Sequence, residues 1–340
     1  MALKETVSVV VPIFNVEKYL NESLNSLKKQ TYKEFEVIMI DDASTDNSYR
    51  IAEKYLTDKR FKLFKNTVNK GLSGTRNRGI ELATGKYIFY FDPDDLLPIN
   101  LFELLVNEIK LSQSDLLCFN YLKFSDEFPQ NVTSIVKKKE FNQIETIKLL
   151  LSKKLTPAPW AYLTYLDILK ENKLIRFPEG KNFEDITYIP YLITHINKLS
   201  LLKFDRGGYY YRVNRKGSIT DVNNNLKKLT REINDRVTLD TVKYEYLSKN
   251  YEQLTDEIKN WYFDELIGLY IEKFNYLYEM PDSANVFNEF RRTILNFTRD
   301  NSVKNASFKD KVKLQIIKNS LLGRIYYMYK KRSVVLIKSI

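Results

Sequence analysis

Along the first 95 positions the apolar residues come in short, mainly apolar runs: Val7 to Val11, closed by Pro12, then Phe35 to Ile40, Phe61 to Lys65 and Tyr87 to Phe91. Runs of this length, rich in β-branched and aromatic residues, predict strands buried on both faces. Between them the period changes. Glu17 to Lys29 puts Leu20, Leu24 and Leu27 on one helical face, Thr45 to Leu56 follows an acidic, Ser/Thr-rich start, and Ser73 to Ala83 follows a glycine loop. Alternating strand and helix predicts an α/β fold, a mainly parallel sheet with helices on both faces, whose ligands bind beyond the carboxyl ends of the strands.

Further on, Asp115 to Leu122 predicts a strand, and Ile144 to Leu151, Trp160 to Glu171 and Glu184 to Ile196 predict helices. Leu199 to Phe204 with Tyr209 to Val213 predicts a strand pair. After Gly217 only Gly268, Pro281 and Gly323 interrupt stretches of Leu, Ile, Tyr and Phe at helical spacing. Residues 1–220 are therefore expected to form one domain and 221–340 a helical C-terminal region. No internal repeat or Gly/Ser/Pro-rich linker marks the boundary, which rests on the change of pattern.

With 340 residues, 44% hydrophobic and 29% charged, the composition excludes extensive disorder. The single cysteine, Cys118, excludes an intramolecular disulfide and a thiolate zinc cage, and the single histidine, His195, excludes a multi-imidazole site. Any metal must sit on oxygen. Cys118 in a strand pattern and His195 on an apolar helix face both read as packing residues. No uncharged run exceeds twelve residues, and the apolar start from Val7 to Phe14 lacks a basic leader and a small-residue cleavage site, so the expected location is cytoplasmic.

The net charge of +11 suggests nucleic acid until its position is considered. Residues 311–340 hold eight bases and no acid, which leaves +3 for the rest. Within that tail Leu314, Ile317, Leu321, Ile325 and Met328 recur at helical steps. This basic amphipathic segment suits an anionic membrane surface at the inner face of the plasma membrane, and equally suits packing on the catalytic domain or on a second protomer of a homo-oligomer. No nucleic-acid partner is expected.

Chemistry is concentrated after the strands. Asp41 and Asp42 directly follow Ile40, and Asp92, Asp94 and Asp95 follow Phe91, so five acids gather at one sheet edge. Such crowding is relieved by a divalent cation or a ligand rich in donors. Hard oxygen ligands point to Mg2+ or Mn2+, held by one or two carboxylates together with substrate phosphates. The alternative for either cluster is a set of solvated turn and cap acids. Gly71, Gly74, Gly79 and Gly85 fall close together among only ten glycines, marking a loop that needs positive φ or close approach.

Pro12 to Asn15, Asp41-Asp42-Ala43-Ser44-Thr45-Asp46, Asn69-Lys70-Gly71 with Arg76-Asn77-Arg78-Gly79, and Phe91-Asp92-Pro93-Asp94-Asp95 together resemble the family 2 glycosyltransferases of the GT-A fold. The resemblance is strong over about residues 5 to 125, looser through Glu184-Asp185 and Tyr209 to Thr220, and does not extend to the C-terminal third. It implies a Rossmann-like GT-A domain that binds a nucleotide sugar, a UDP-sugar above all, and passes the sugar to a hydroxyl of a glycan, lipid-linked or protein-linked acceptor. By similarity Asp42 accepts from the uracil edge, Pro12 and Phe14 line the base pocket and Arg76 approaches the nucleotide. Asp92 and Asp94 match the D-x-D signature that holds ribose and metal, and Asp95 extends the acidic set.

Glu184-Asp185 resembles the family's catalytic E-D motif, with Asp185 as the general base of a single, inverting displacement. The same two residues would also serve as a helix cap. Arg212, Arg215 and Ser218 lie in a segment that closes over the diphosphate in relatives; a basic surface loop is the other reading. Trp160 either stacks on an acceptor sugar or fills the core, and Tyr162 stands where many relatives carry lysine. A rival function is a non-catalytic nucleotide-diphosphate or nucleic-acid binding protein. A dehydrogenase fits poorly, because the first strand leads into Pro-Ile-Phe-Asn and not a glycine fingerprint.

Overall fold

The computed structural model describes residues 5–125, 132–214, 225–280, 283–300 and 308–319. The chain divides into two compact units, residues 1–219 and 220–340.

In the first unit, β1 (Val7–Ile13), α1 (Glu17–Lys28), β2 (Phe35–Asp41), α2 (Ser48–Glu53), β3 (Phe61–Lys65), α3 (Gly71–Leu82) and β4 (Tyr87–Tyr90) follow the expected alternation. The helical pattern from Thr45 to Leu56 is split into α2 and a 3-10 turn at Lys54–Thr57. After α4 (Leu101–Ser112) come β5 (Leu116–Phe119), β6 (Leu122–Phe124), β7 (Ile135–Asn142), α5 (Gln143–Leu151), β8 (Tyr162–Tyr165), α6 (Leu166–Glu171), α7 (Asp185–Ile193), β9 (Lys198–Phe204) and β10 (Tyr210–Arg212). Eight strands form one sheet in the order β3-β2-β1-β4-β8-β5-β9-β7. The pairs β2/β3, β1/β2, β1/β4 and β5/β9 are parallel; β8 is antiparallel to β4 and β5, and β7 to β9.

The core is what continuous apolar runs produce: β1 and β2 are buried along their whole length. Pro12 continues β1, because pairing with β4 ends at Val10 and Pro12 lies beyond that ladder. Gly79 fixes α3 against the sheet, since a Cβ there would come within 2.2 Å of Val10 Cγ1. Cys118 is buried in β5, where burial pushes its thiol up to about 12. His195 Nδ1 lies 2.7 Å from the Tyr191 carbonyl oxygen, a bond its N–H can make.

Several expectations are corrected. Trp160 to Glu171 is not one helix: a 3-10 turn at Pro159–Ala161 leads into the central strand β8, and only Leu166–Glu171 is helical. Its apolar run is too uniform to reveal its period, and burial between β4 and β5 decides for strand. Asp115 to Leu122 breaks after Phe119 into β5 and β6, which belong to different sheets. The expected pairing of Leu199–Phe204 with Tyr209–Val213 is absent; β9 joins the large sheet and β10 pairs in parallel with β6. Both α4 and β7 were unexpected. The helix α4 buries Leu101, Phe102, Leu105, Val106 and Ile109, while β7 is an edge strand exposed over most of its length, with Lys137, Lys138 and Lys139 in its middle.

The second unit is helical as expected: α8 (Leu226–Asn250), α9 (Thr255–Glu279), α10 (Ala284–Asp300) and α11 (Phe308–Lys318). Asn225 caps α8 by accepting from the Lys227 and Lys228 N–H groups. Lys243 sits 4.0 Å above the Trp261 ring, and Tyr244 stacks on Tyr262 at 4.6 Å. In the tail, Ile317 is buried, and Arg291 of α10 donates to the Ile317 and Lys318 carbonyls. Leu321, Arg324, Ile325 and Met328 lie outside the described residues. Among the described residues no helix is long and apolar enough to cross a membrane.

Candidate active site

The parallel strands β2, β1 and β4 end at the same edge, and β1 separates the two acidic turns that follow its neighbours. At about 4.8 Å per strand, the turns stand about 10 Å apart.

The turn after β2 is stitched into its surroundings. Asp42 Oδ1 accepts from Asn66 Nδ2 at 2.6 Å and Lys70 N at 2.8 Å, and Oδ2 accepts from Gly71 N at 2.8 Å. Gly71 supplies the positive φ of +74° that this approach requires. Asp42, expected at the uracil edge, thus has both oxygens engaged in folding the loop that leads into α3. Its neighbour Asp41 is fully buried, and its Oδ1 has no hydrogen-bond partner among the described residues. Asn15 and Ala43 take positive φ, and Asn15 binds across from the end of β1 to this turn: Ser44 Oγ accepts from Asn15 N at 3.2 Å, and Asn15 Oδ1 accepts from Thr45 N at 2.8 Å. Phe14 stands at the end of β1, 46% exposed, while Pro12 is buried within the strand.

The turn after β4 is different. Asp95 is fully buried; its Oδ1 accepts from Arg212 N at 2.7 Å and its Oδ2 from the Tyr209 hydroxyl at 2.8 Å. Burial, then the charges of Asp94 and Asp92, push its carboxyl well above the ordinary aspartate range. The Tyr209 hydroxyl in turn accepts from Asp92 N at 3.1 Å. Tyr209 stacks on Trp160 at 4.3 Å, and Tyr211 covers Trp160 at 5.6 Å. Trp160, 6% exposed, therefore packs behind the acidic turn and has its faces taken by tyrosines. Arg212, expected at a phosphate, is used as a latch: Nε donates to the Asp94 carbonyl at 2.7 Å and a terminal nitrogen to Glu22 at 2.6 Å.

Arg76 joins this turn to the E-D pair. One terminal nitrogen donates to Asp92 Oδ1 at 2.8 Å and the other to Glu184 Oε1 at 2.5 Å, between residues 108 apart in sequence. Burial opposes the charged guanidinium, but Asp92, Glu184 and Asp185 outweigh it and hold Arg76 firmly protonated. Glu184 precedes α7 without capping it through its side chain. Asp185 is the first residue of α7 and is partly exposed. Phe183, just before the pair, is held at φ +61°, a conformation that a non-glycine residue adopts at a cost of about 1–3 kcal/mol. Arg215 and Ser218 lie outside the described residues.

A divalent cation fits this donor set. Asp92 Oδ2 takes no hydrogen bond among the described residues, and Asp94 stands beside it as a second hard donor. Among the described residues no group of three or more His, Cys, Asp or Glu side chains is placed to hold a metal alone. That suits an ion completed by substrate phosphates.

Sequence reading missed Asp41's open oxygen, the Tyr209–Asp95 bond and the tie from Arg76 to Glu184. The Asp and Arg residues themselves were visible; their division of labour was not, because it depends on contacts between distant segments.

The comparisons agree with this geometry. The family described as Glycosyl transferase family 2 matches residues 8–165. A glycosyltransferase of Streptococcus pneumoniae, GlyG, is 32% identical over 192 residues, covering 54% of this chain and 63% of its own length. The chain thus spans less than two thirds of that relative. An uncharacterized glycosyltransferase of Haemophilus influenzae is 30% identical over 210 residues, 62% of this chain and 80% of its own. Among solved structures, Staphylococcus aureus TarS 1-349, crystallised in complex with UDP-GlcNAc, superposes with a TM-score of 0.57 at 22% identity, covering 87% of this chain and 92% of that one. That likeness establishes the GT-A fold. With the acidic turns on the strand ends and most of the Haemophilus protein aligned, the chain belongs to glycosyl transferase family 2.

Proposed function

We propose that the protein transfers a sugar from a nucleotide donor, a UDP-sugar, to a hydroxyl of a glycan acceptor, with inversion at the anomeric carbon. Mg2+ or Mn2+ would be held by Asp92 and Asp94, and Asp185 would act as general base. The observation that carries the reading is the Arg76 bridge, which brings the acidic turn after β4 and the Glu184–Asp185 pair to a single guanidinium. A donor diphosphate and an acceptor hydroxyl have to meet between such elements.

In this reading Phe14 offers an exposed ring to the base, with Asp42 shaping the wall beside it. The complex of TarS with UDP-GlcNAc supports uridine as the nucleotide. When bound, a divalent cation supplies Lewis-acid neutralisation of the charge that collects on the departing diphosphate. Asp185 takes the acceptor's proton as its oxygen bonds to the anomeric carbon. The bond from that carbon to the diphosphate oxygen breaks, and the diphosphate leaves with the electron pair. One displacement inverts the centre. A lipid-linked acceptor fits the basic segment from residue 311 onward, and liposome flotation before and after its removal tests that part.

A panel of nucleotide sugars with Mn2+, read by release of UDP or GDP, tests the donor. Asp185→Asn is expected to keep UDP binding and lose transfer by at least about a hundredfold. Near-normal turnover in that variant would reassign the base, and binding with no transfer from any donor would favour a non-catalytic nucleotide-binding protein.

A further inference from the structure

Arg76 is 2% exposed, and both of its terminal nitrogens are already committed, one to Asp92 and one to Glu184. We propose that Arg76 is a positioning residue that, with Asn77, sets the base-bearing segment at a fixed distance from the acidic turn, and does not serve as a nucleotide contact. The inference rests on the reading of Asp185 as base.

Four observations support it. Asn77 grips the main chain of Phe177 from both sides, its Oδ1 accepting from Phe177 N and its Nδ2 donating to Phe177 O, each at 2.9 Å. The Arg76 guanidinium lies 5.3 Å above the Phe177 ring, which is stacked at 3.9 Å on Tyr188 of α7. Tyr188 donates to the Tyr90 hydroxyl at 3.0 Å and so ties α7 to β4. Gly79, in contact range of Val10, fixes α3 on β1 and with it the origin of the Arg76 side chain. Both ends of the segment from Phe177 to Glu184 are therefore held by adjacent residues of α3, and α3 is held by the sheet.

The physical role follows from the charges. Asp92 and Glu184 repel each other, and a shared fork of two N–H donors converts that repulsion into a defined separation. Asp185, next in the chain after Glu184, inherits that placement. A lysine carries its charge at one point and cannot bond both carboxylates in the same geometry. Misplacing a reacting group by about 1 Å costs about a hundredfold in rate, so this separation bears on the turnover step. Arg76 Nε is buried with no hydrogen-bond partner among the described residues, and each terminal nitrogen carries a second N–H, so Arg76 keeps donors that a ligand could take, the case that UDP affinity in Arg76→Lys tests.

The test uses the full chain with Mn2+. UDP affinity is read by calorimetry, transfer by kcat and donor KM, and folding by thermal unfolding, for Arg76→Lys, Glu184→Gln, Asp185→Asn and the Arg76→Lys/Asp185→Asn double variant. Expected are UDP affinity and donor KM within about threefold of the parent for Arg76→Lys and Glu184→Gln, and kcat lower by at least about thirtyfold. The double variant is expected to lose little beyond Asp185→Asn alone, because Arg76 acts through the base. UDP affinity weakened tenfold or more in Arg76→Lys, with losses that multiply in the double variant, would make Arg76 a nucleotide contact and overturn the inference. If Arg76→Lys does not fold, Glu184→Gln decides: normal kcat there overturns the inference while Asp185→Asn remains inactive. Normal transfer by Asp185→Asn would sink the base reading itself, a result visible without any Arg76 variant.

Discussion

Two acidic turns occupy the same edge of one sheet, one after β2 and one after β4, and they do opposite things. In the first, the Asp42 carboxylate is saturated by Asn66, Lys70 and Gly71 and serves as masonry. In the second, Asp92, Asp94 and Asp95 crowd together: Asp95 is buried with its carboxyl pushed up, and Asp92 is tied to a buried arginine through one oxygen while its other oxygen takes no hydrogen bond among the described residues. The count of carboxylates was similar; the supply of N–H groups was not. The Asp42 carboxylate shapes a wall, and the proposed reading assigns the turn after β4 a cation and a phosphate.

The contrast can be broken by substitution. The largest effect is expected at the unsatisfied turn: Asp94→Ala should lower Mn2+-dependent donor cleavage by about a thousandfold while leaving thermal unfolding nearly unchanged. Unaltered Mn2+ dependence in that variant would remove Asp94 from the metal site. At the saturated turn the loss should appear in stability. Asp42→Ala removes the acceptor of Lys70 N and one of the two acceptors of Asn66 Nδ2 and of Gly71 N, which keep Thr75 Oγ1 and Asn69 Oδ1, and is expected to cost about 1–3 kcal/mol in denaturant unfolding. A variant as stable as the parent would mean that the loop does not depend on that carboxylate.

The smallest effect separates Asp95 from its neighbours. Burial and the charges of Asp94 and Asp92 raise its carboxyl, so the folded chain holds a proton that the unfolded chain releases at the ordinary aspartate value. Stability from that proton is complete below the unfolded value and drains as pH rises from about 4 through the window up to the folded value. Asp95→Asn should therefore flatten the decline and change stability at neutral pH by about 1 kcal/mol or less. Equal slopes of stability against pH in parent and variant would show Asp95 ionised throughout.

How much of this was legible in the sequence follows the same physics. The strands β1, β2 and β4 declared themselves because burial on both faces demands largely apolar runs, and the acids after β2 and β4 stood out against that background. The helix α4 was equally patterned, Leu101, Phe102, Leu105, Val106 and Ile109 falling at helical steps, and was overlooked beside the acidic turn. The strand β7 was not legible: an exposed edge strand with three lysines has no buried face to impose alternation. Trp160 to Tyr165 misled because Trp, Tyr and Leu on a strand buried between two others give no polar phase, so helix and strand periods fit alike.

At the site, single residues were readable and pairings were not. Arg76 and Glu184 come together only because Gly79 seats α3 on β1 and Asn77 holds Phe177. Arg212 reads as a phosphate ligand because arginine after a strand suits phosphate, and its bonds to Glu22 and the Asp94 carbonyl join segments that no local pattern links.

The most direct measurement is a calorimetric titration of UDP into the full-length protein, with Mn2+ present and with the cation removed by a chelator. If the turn after β4 is completed by a cation gripping diphosphate oxygens, UDP should bind at least about tenfold more tightly with Mn2+, and Asp94→Ala should erase the difference. Equal UDP affinity in both conditions would contradict the account.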